Sequence, residues 1–330
     1  MAGSSKGAVV LAVAGNGALT VLKFVTFALS GSGAMLSEAI HSLADTANQA
    51  LLWIGIERSS LGPTPLFHYG RGAERFFFAL MSAVGIFVLG CGFTLYHGIH
   101  NALDPPALEI GWAVYAVLGV SLVVDGIVLR KALLVAFEQK KDKGLIRFLR
   151  ESSDPTLAAV LLEDAVATTG VIVAAIGISL SEWTGSHTPD VVATLVIGAM
   201  LGAVAIWLGW VNRTLILGRS IPLDVQSAIV RYLEEQPTVE RVHAVRSRII
   251  GADRFKLTAG IDWNGRALGA LLEPWVAQNP VDLGDEGARA AFARDFGEHL
   301  TEAIGDEIDR IEAELREHHP ELAFLDLESE

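Results

Sequence analysis

His41 and Asp45 stand four residues apart in SEAIHSLADTANQALL, a stretch otherwise apolar enough to cross a bilayer. An i, i+4 spacing puts both side chains on one helix face, about 5–6 Å apart at Cβ. An imidazole and a carboxylate so placed can grip one divalent cation, since imidazole suits zinc, copper, iron and nickel and carboxylates accept most divalent ions. The blander alternative is a His–Asp hydrogen bond that locks helix packing. A buried carboxylate needs a counter-charge, and no basic residue lies nearby on that segment, which favours the ligand reading. Asp164 follows Pro155 by nine residues. That places it roughly 14 Å into a second apolar segment, near mid-membrane. Asp45 sits at comparable depth, and two carboxylates meeting there repel unless a cation or a proton lies between them. Glu163 points about 100° away round the same helix; it is a fourth metal ligand, a proton site, or the partner of a base elsewhere.

Ionisable groups at membrane depth are costly and default to a functional reading. Asp125, in VSLVVDGIVLRKALL, precedes Arg130 by five residues. It belongs to an ion path or supports a ligand, or else makes a packing contact or a salt bridge to Arg130. Asn48, three residues beyond Asp45, is a second possible ion-path or supporting residue. Lys23 reads as structural, snorkelling outward or pairing within a bundle. His97 and His100 form an i, i+3 pair near a helix end and read as interfacial. Gly85, Gly90, Gly92 and Gly98 read as close helix packing.

The elements that position these residues follow from hydropathy. Of 330 residues 51% are hydrophobic, only 19% are charged, and mean hydropathy is +0.43. Six apolar runs approach the roughly 20 residues a bilayer requires: about 7–30, 34–58, 76–101, 108–136, 156–180 and 189–211. Gly-Ser-Gly at 31–33 separates the first two, Asp104-Pro105-Pro106 ends the third, and Asp154-Pro155 and Thr188-Pro189 each read as an N-cap followed by proline. With the N-terminus assigned to the cytoplasm, 13 Lys and Arg fall in the inside segments, among them Arg58, Arg71, Arg75, Arg213 and Arg219, and none falls in the outside loops. The positive-inside rule then puts both termini in the cytoplasm, and a bacterial inner (plasma) membrane is expected. The basic stretch 137–153 is expected to continue the fourth helix before turning.

Residues 1–213 carry a net charge of −2 and residues 214–330 a net of −11. The chain therefore reads as a six-helix transmembrane domain, 1–213, followed by an acidic cytoplasmic domain, 214–330. The acidity argues against nucleic acid, and membrane lipids are the surroundings expected of the first domain. Cys91, the single cysteine, excludes a disulfide framework and any CxxC site. There is no Walker GxxxxGKS/T and no HExxH, which disfavours an ATP-driven pump and a zinc protease. A haem protein using His41, His97 and His100 leaves Asp45 and Asp164 without a role. In the second domain, 222–237 is helical, 240–250 and 254–263 are strands joined by Gly251-Ala252-Asp253, 287–319 is a long acidic amphipathic helix and 322–328 is a last strand. The stretch 264–286 shows no periodicity and reads as a loop. His318 and His319 read as a solvated helix end.

Several strings resemble the cation diffusion facilitator family of metal/proton antiporters. They are ALSGSGAML with SEAIHSLADTANQALLWIG, HYGRGAERFF, GFTLYHGIHNALDP, DPTLAAVLLEDAVATTGVIVA, and VERVHAVRSRIIGADRFKLTAGIDWNG. The family's second-helix ligand pair falls on His41 and Asp45, and its fifth-helix metal aspartate on Asp164. The resemblance implies six transmembrane helices, a ferredoxin-like C-terminal α+β domain that forms a homodimer, and no enzymatic activity. It implies secondary export of a divalent transition metal from the cytoplasm in exchange for protons, zinc first, with Mn, Fe, Co, Ni or Cd open. A non-transporting metal sensor or scaffold is the alternative. One departure stands out: the position four residues before Asp164, usually His or Asp in the family, is Val160, which cannot bind metal. The pair Glu163-Asp164 resembles instead the branch that includes the mitochondrial zinc exporter of animals.

Overall fold

A computed structural model describes residues 13–22, 24, 25, 28, 33–104, 112–140, 144–152, 154–282 and 284–329. For 33–41, 113, 147, 150 and 151 it describes the backbone alone. Lys23, the turn residues 31 and 32 and the Pro105-Pro106 breaker lie outside the described residues. The chain divides into two units, Met1–Leu217 and Gly218–Glu330.

The first unit is helical: α1 (Val13–Leu22), α2 (Gly33–Ser59), α3 (Glu74–Leu103), α4 (Trp112–Gln139), α5 (Leu145–Glu151), α6 (Pro155–Thr184) and α7 (Thr188–Leu217). Among the described residues α3, α6 and α7, of 30 residues each, are long and apolar enough to cross a membrane. Each extends about 45 Å. Their outward faces carry Val88, Leu89, Ile176, Val192 and Ile206, all exposed. An apolar surface on every side is what a helix in lipid requires. The 137–153 stretch does not simply prolong α4: that helix stops at Gln139 and α5 follows as a separate short helix.

Local chemistry sets the α6 start. Asp154 is the N-cap, with Oδ1 accepting from Thr156 N at 3.0 Å, and Pro155 holds the first turn. The buried Arg75, on α3, reaches across to donate from Nη2 to Asp154 Oδ2 (2.7 Å) and from Nε to Thr156 Oγ1 (2.9 Å). Helices α6 and α7 then approach very closely at Gly177, where a Cβ would stand 2.5 Å from Ala193 Cβ and 3.1 Å from Pro189 O. In α3 the segment Ile86–Gly92 widens into π-helix. Of the four α3 glycines expected at packing contacts, Gly85, Gly90 and Gly98 face side chains of neighbouring helices. Gly92 is exposed, because the widened turn rotates it out of the contact face. The buried core runs through Leu52, Ala79, Ala132, Ala136, Leu157, Val160, Leu161 and Leu208.

The second unit runs α8 (Leu223–Glu234), β1 (Val239–Gly251), β2 (Arg254–Trp263), α9 (Gly265–Leu271), α10 (Glu273–Gln278), α11 (Glu286–His318) and β3 (Leu322–Ser329). The sheet order is β1-β2-β3, with β1 antiparallel and β3 parallel to β2. Parallel pairing forces a crossover, and α9–α11 supply it. Ile229, Leu233, Leu257, Ile261, Ile311, Leu315 and Leu325 fill the core between helices and sheet. The expected loop 264–286 in fact holds α9 and α10. Asn264 caps α9 by accepting from Arg266 N and Ala267 N, and Trp275 of α10 packs against Phe292 and Phe296 of α11. Helices of six and seven residues span two turns or fewer, too short for a periodic signal.

Candidate metal site

α2 carries His41 and Asp45 one turn apart; the His41 side chain lies outside the described residues. Asp45 is partly buried. One further turn brings Gln49, 1% exposed, on the face that meets α6. The neighbouring Asn48 turns to α3: a Cβ on Gly85 would lie 2.6 Å from Asn48 Oδ1. Gly85 therefore leaves room for the Asn48 amide, and this places Asn48 at the α2–α3 contact.

On α6 the two adjacent carboxylates diverge. Glu163 accepts from Gln49 Nε2 at Oε2 (2.8 Å) and from Ser82 Oγ at Oε1 (3.4 Å), so it ties α6 to α2 and α3. Asp164 is 4% exposed, and among the described residues its Oδ2 has no hydrogen-bond partner. It lies within electrostatic reach of Asp125 on α4 and Asp45 on α2, and Glu163 within reach of Asp164 and Asp45. Among the described residues no three His, Cys, Asp or Glu side chains converge closely enough to hold a metal ion. Val160 is fully buried in the apolar core one turn below Asp164. A buried carboxylate oxygen without a partner costs about 1–3 kcal/mol.

Sequence reasoning missed Gln49 and Ser82. The signal for Gln49 was present, since His41, Asp45 and Gln49 continue one i, i+4 series. Ser82 carries no such signal, because its partner is set by how α3 lies against α6. The outer histidines are engaged locally: His97 Nε2 meets Asn101 Nδ2 at 3.1 Å and its ring stacks on Phe93, while Tyr96 stacks on His100. In the second unit His318 Nδ1 meets Glu314 O (2.8 Å) and His319 meets Glu321 (3.1 Å). His243 Nε2 lies 3.2 Å from Asp262 Oδ1, its ring over Gly260.

Residues 9–217 match the cation efflux transmembrane domain. The mitochondrial proton-coupled zinc antiporter of Homo sapiens is 35% identical over 334 residues, covering 97% of this chain and 58% of that protein. A metal tolerance protein of Arabidopsis thaliana is 33% identical over 326 residues, 93% of this chain and 70% of that protein. A cation-efflux pump of Cronobacter sakazakii is 27% identical over 241 residues, 72% and 74% respectively. This chain thus spans little more than half the length of the animal antiporters it matches. The expected bacterial plasma membrane, with its cytoplasmic termini, is corrected by these matches. The animal relatives that align with nearly the whole chain are named as mitochondrial, and the bacterial pump aligns over less of it at lower identity.

Proposed function

The chain belongs to the cation efflux, or cation diffusion facilitator, family, whose members are transporters and not enzymes, and on that premise we propose that it exchanges a divalent transition metal, zinc first, for protons. The observation that carries the reading is the unpartnered, buried Asp164 Oδ2 within electrostatic reach of Asp45. His41, Asp45 and Asp164 are the cation ligands of this proposal, and Glu163 orients α6 through Gln49 and Ser82. Ligands must shed protons to bind metal, so cation entry on one side and proton return from the other exchange the two without ATP.

The same reading gives the membrane unit six spans, because α1, α2 and α4 occupy the remaining apolar runs. It makes the α8-β1-β2-α11-β3 unit a ferredoxin-like domain that pairs two copies of the chain. The membrane is a mitochondrial one, by the names of the relatives, and export runs from the side that bears the Lys and Arg loops and the acidic unit. The net negative charge of that unit attracts cations on its side of the membrane. The test is zinc uptake into proteoliposomes under an imposed pH gradient. Wild-type protein carries gradient-dependent flux, and both Asp45→Asn and Asp164→Asn lose it. Undiminished flux in both variants would sink the site assignment.

A further inference from the structure

Helices α4 and α6, separated in the chain by the short α5, pack against each other in antiparallel fashion. On α4 the buried stripe is Leu118, Ser121, Asp125, Val128, Ala132 and Ala136, spaced by three and four residues; all are buried except Asp125, which is partly so. A stripe so apolar needs no polar residue for packing. Yet Ser121, 2% exposed, has an Oγ without a hydrogen-bond partner, one turn from Asp125. On α6 Thr168 follows Asp164 by one turn, and its Oγ1 is likewise buried and unpartnered. Farther along the seam Tyr115 of α4 donates to Glu182 of α6 at 2.8 Å.

That bond brings the start of α4 beside the end of α6. Asp164 with Thr168 on α6 and Asp125 with Ser121 on α4 make a file of four polar groups, one turn or roughly 6 Å apart along each helix, with Asp125 within electrostatic reach of Asp164. The file begins at the unpartnered carboxylate and leads to the Tyr115–Glu182 end, the face whose loops lack Lys and Arg. Steps of this size suit a partly hydrated cation that changes oxygen ligands one at a time.

We propose that the α4–α6 seam is the passage by which the divalent cation travels between Asp164 and the membrane face free of basic residues, with Thr168, Asp125 and Ser121 as its oxygen-lined steps. The proposal rests on the transporter reading above, and one experiment separates the two. Ser121→Cys and Thr168→Cys are made in the full chain with Cys91→Ala, alongside Val123→Cys on the exposed face of α4. The variants are reconstituted, and a membrane-impermeant cationic methanethiosulfonate is added on the Tyr115–Glu182 side. Zinc flux is expected to fall in the Ser121→Cys and Thr168→Cys proteins, more slowly when zinc is present, and to persist in Val123→Cys. Asp125→Asn is expected to slow flux on the order of tenfold or more while equilibrium zinc binding stays within about twofold, because the Asp45–Asp164 pair is untouched. Inert cysteines, or Asp125→Asn flux at the wild-type rate, overturn the passage while wild-type transport stands. Absence of flux from the wild type itself overturns the transporter reading instead.

Discussion

Glu307 of α11 and Asp164 of α6 are both more than nine-tenths buried, 8% and 4% exposed, and the two units surround them quite differently. Glu307 Oε1 accepts from Thr238 Oγ1 (2.5 Å) and Arg310 Nη2 (2.8 Å), and Oε2 accepts from Arg310 Nε (2.8 Å). Every side of that carboxylate is answered within the chain, so it fastens α11 to the start of β1. Asp164 Oδ2 is answered by no described residue, and the charges in its electrostatic reach among them are also negative. Selection for stability alone does not keep such a group, since replacing a buried charge with an apolar or neutral residue is often neutral or stabilising. On the proposed function, the difference separates charges that hold the fold from a charge kept open for cargo.

The largest effect tests that separation directly. Asp164→Asn should cut zinc flux by about 100-fold or more, beyond the loss typical of residues that merely support a ligand. Its melting temperature in detergent should equal or exceed that of wild type. A melting temperature that falls together with flux would return Asp164 to the structural class. Arg75→Met should behave in the opposite way, although it too lies in the membrane unit. Arg75 is 5% exposed and answers Asp154, so its removal strands a carboxylate and should cost about 3–5 kcal/mol. Adding Asp154→Asn should recover part of the loss, as double-mutant thermal melts can measure. Without recovery the pair would contribute no mutual stabilisation, and the contrast between the two kinds of charge would blur. Glu307→Gln is the milder counterpart in the second unit. It should cost about 1–3 kcal/mol in denaturant titrations and leave flux per folded molecule unchanged.

How much of this was legible beforehand depended on whether one helix encoded it. The His41–Asp45 spacing and the depth of Asp164 are properties of single segments, and the last helices were found within a few residues: 156–180 against Pro155–Thr184, and 189–211 against Thr188–Leu217. The partnerships of Gln49 and Ser82 with Glu163, and of Asn48 with Gly85, were illegible, because they depend on how α2, α3 and α6 lie against one another. The π-helical turn at Ile86–Gly92 left no trace in hydropathy, since widening a turn changes which residues face a neighbour and not what they are. The bond from Thr238 to Glu307 joins positions 69 apart and follows only from the crossover that makes β3 parallel to β2.

The smallest effect concerns pH, and it follows from the saturated side of the comparison. Hydrogen bonds from Arg310 hold the Glu307 carboxyl below the usual glutamate value of 4.5, with Thr238 adding to the effect and burial opposing it. A group whose folded value is depressed contributes stability that is present above its unfolded value and is lost as pH falls through the folded one. The melting temperature of the C-terminal unit should therefore hold level above about pH 4.5 and decline below it, because protonated Glu307 no longer answers Arg310. Glu307→Gln should flatten that decline, since its amide does not titrate, while lowering the plateau. The half-buried Asp262, held low by its hydrogen bond from Arg241, also contributes to an acid limb, so Asp262→Asn is the control. If Glu307→Gln left the limb as steep as in wild type and Asp262→Asn removed it, the stabilising charge of this unit would lie on the open face of the sheet. Burial with full hydrogen bonding would then no longer be what distinguishes Glu307 from Asp164.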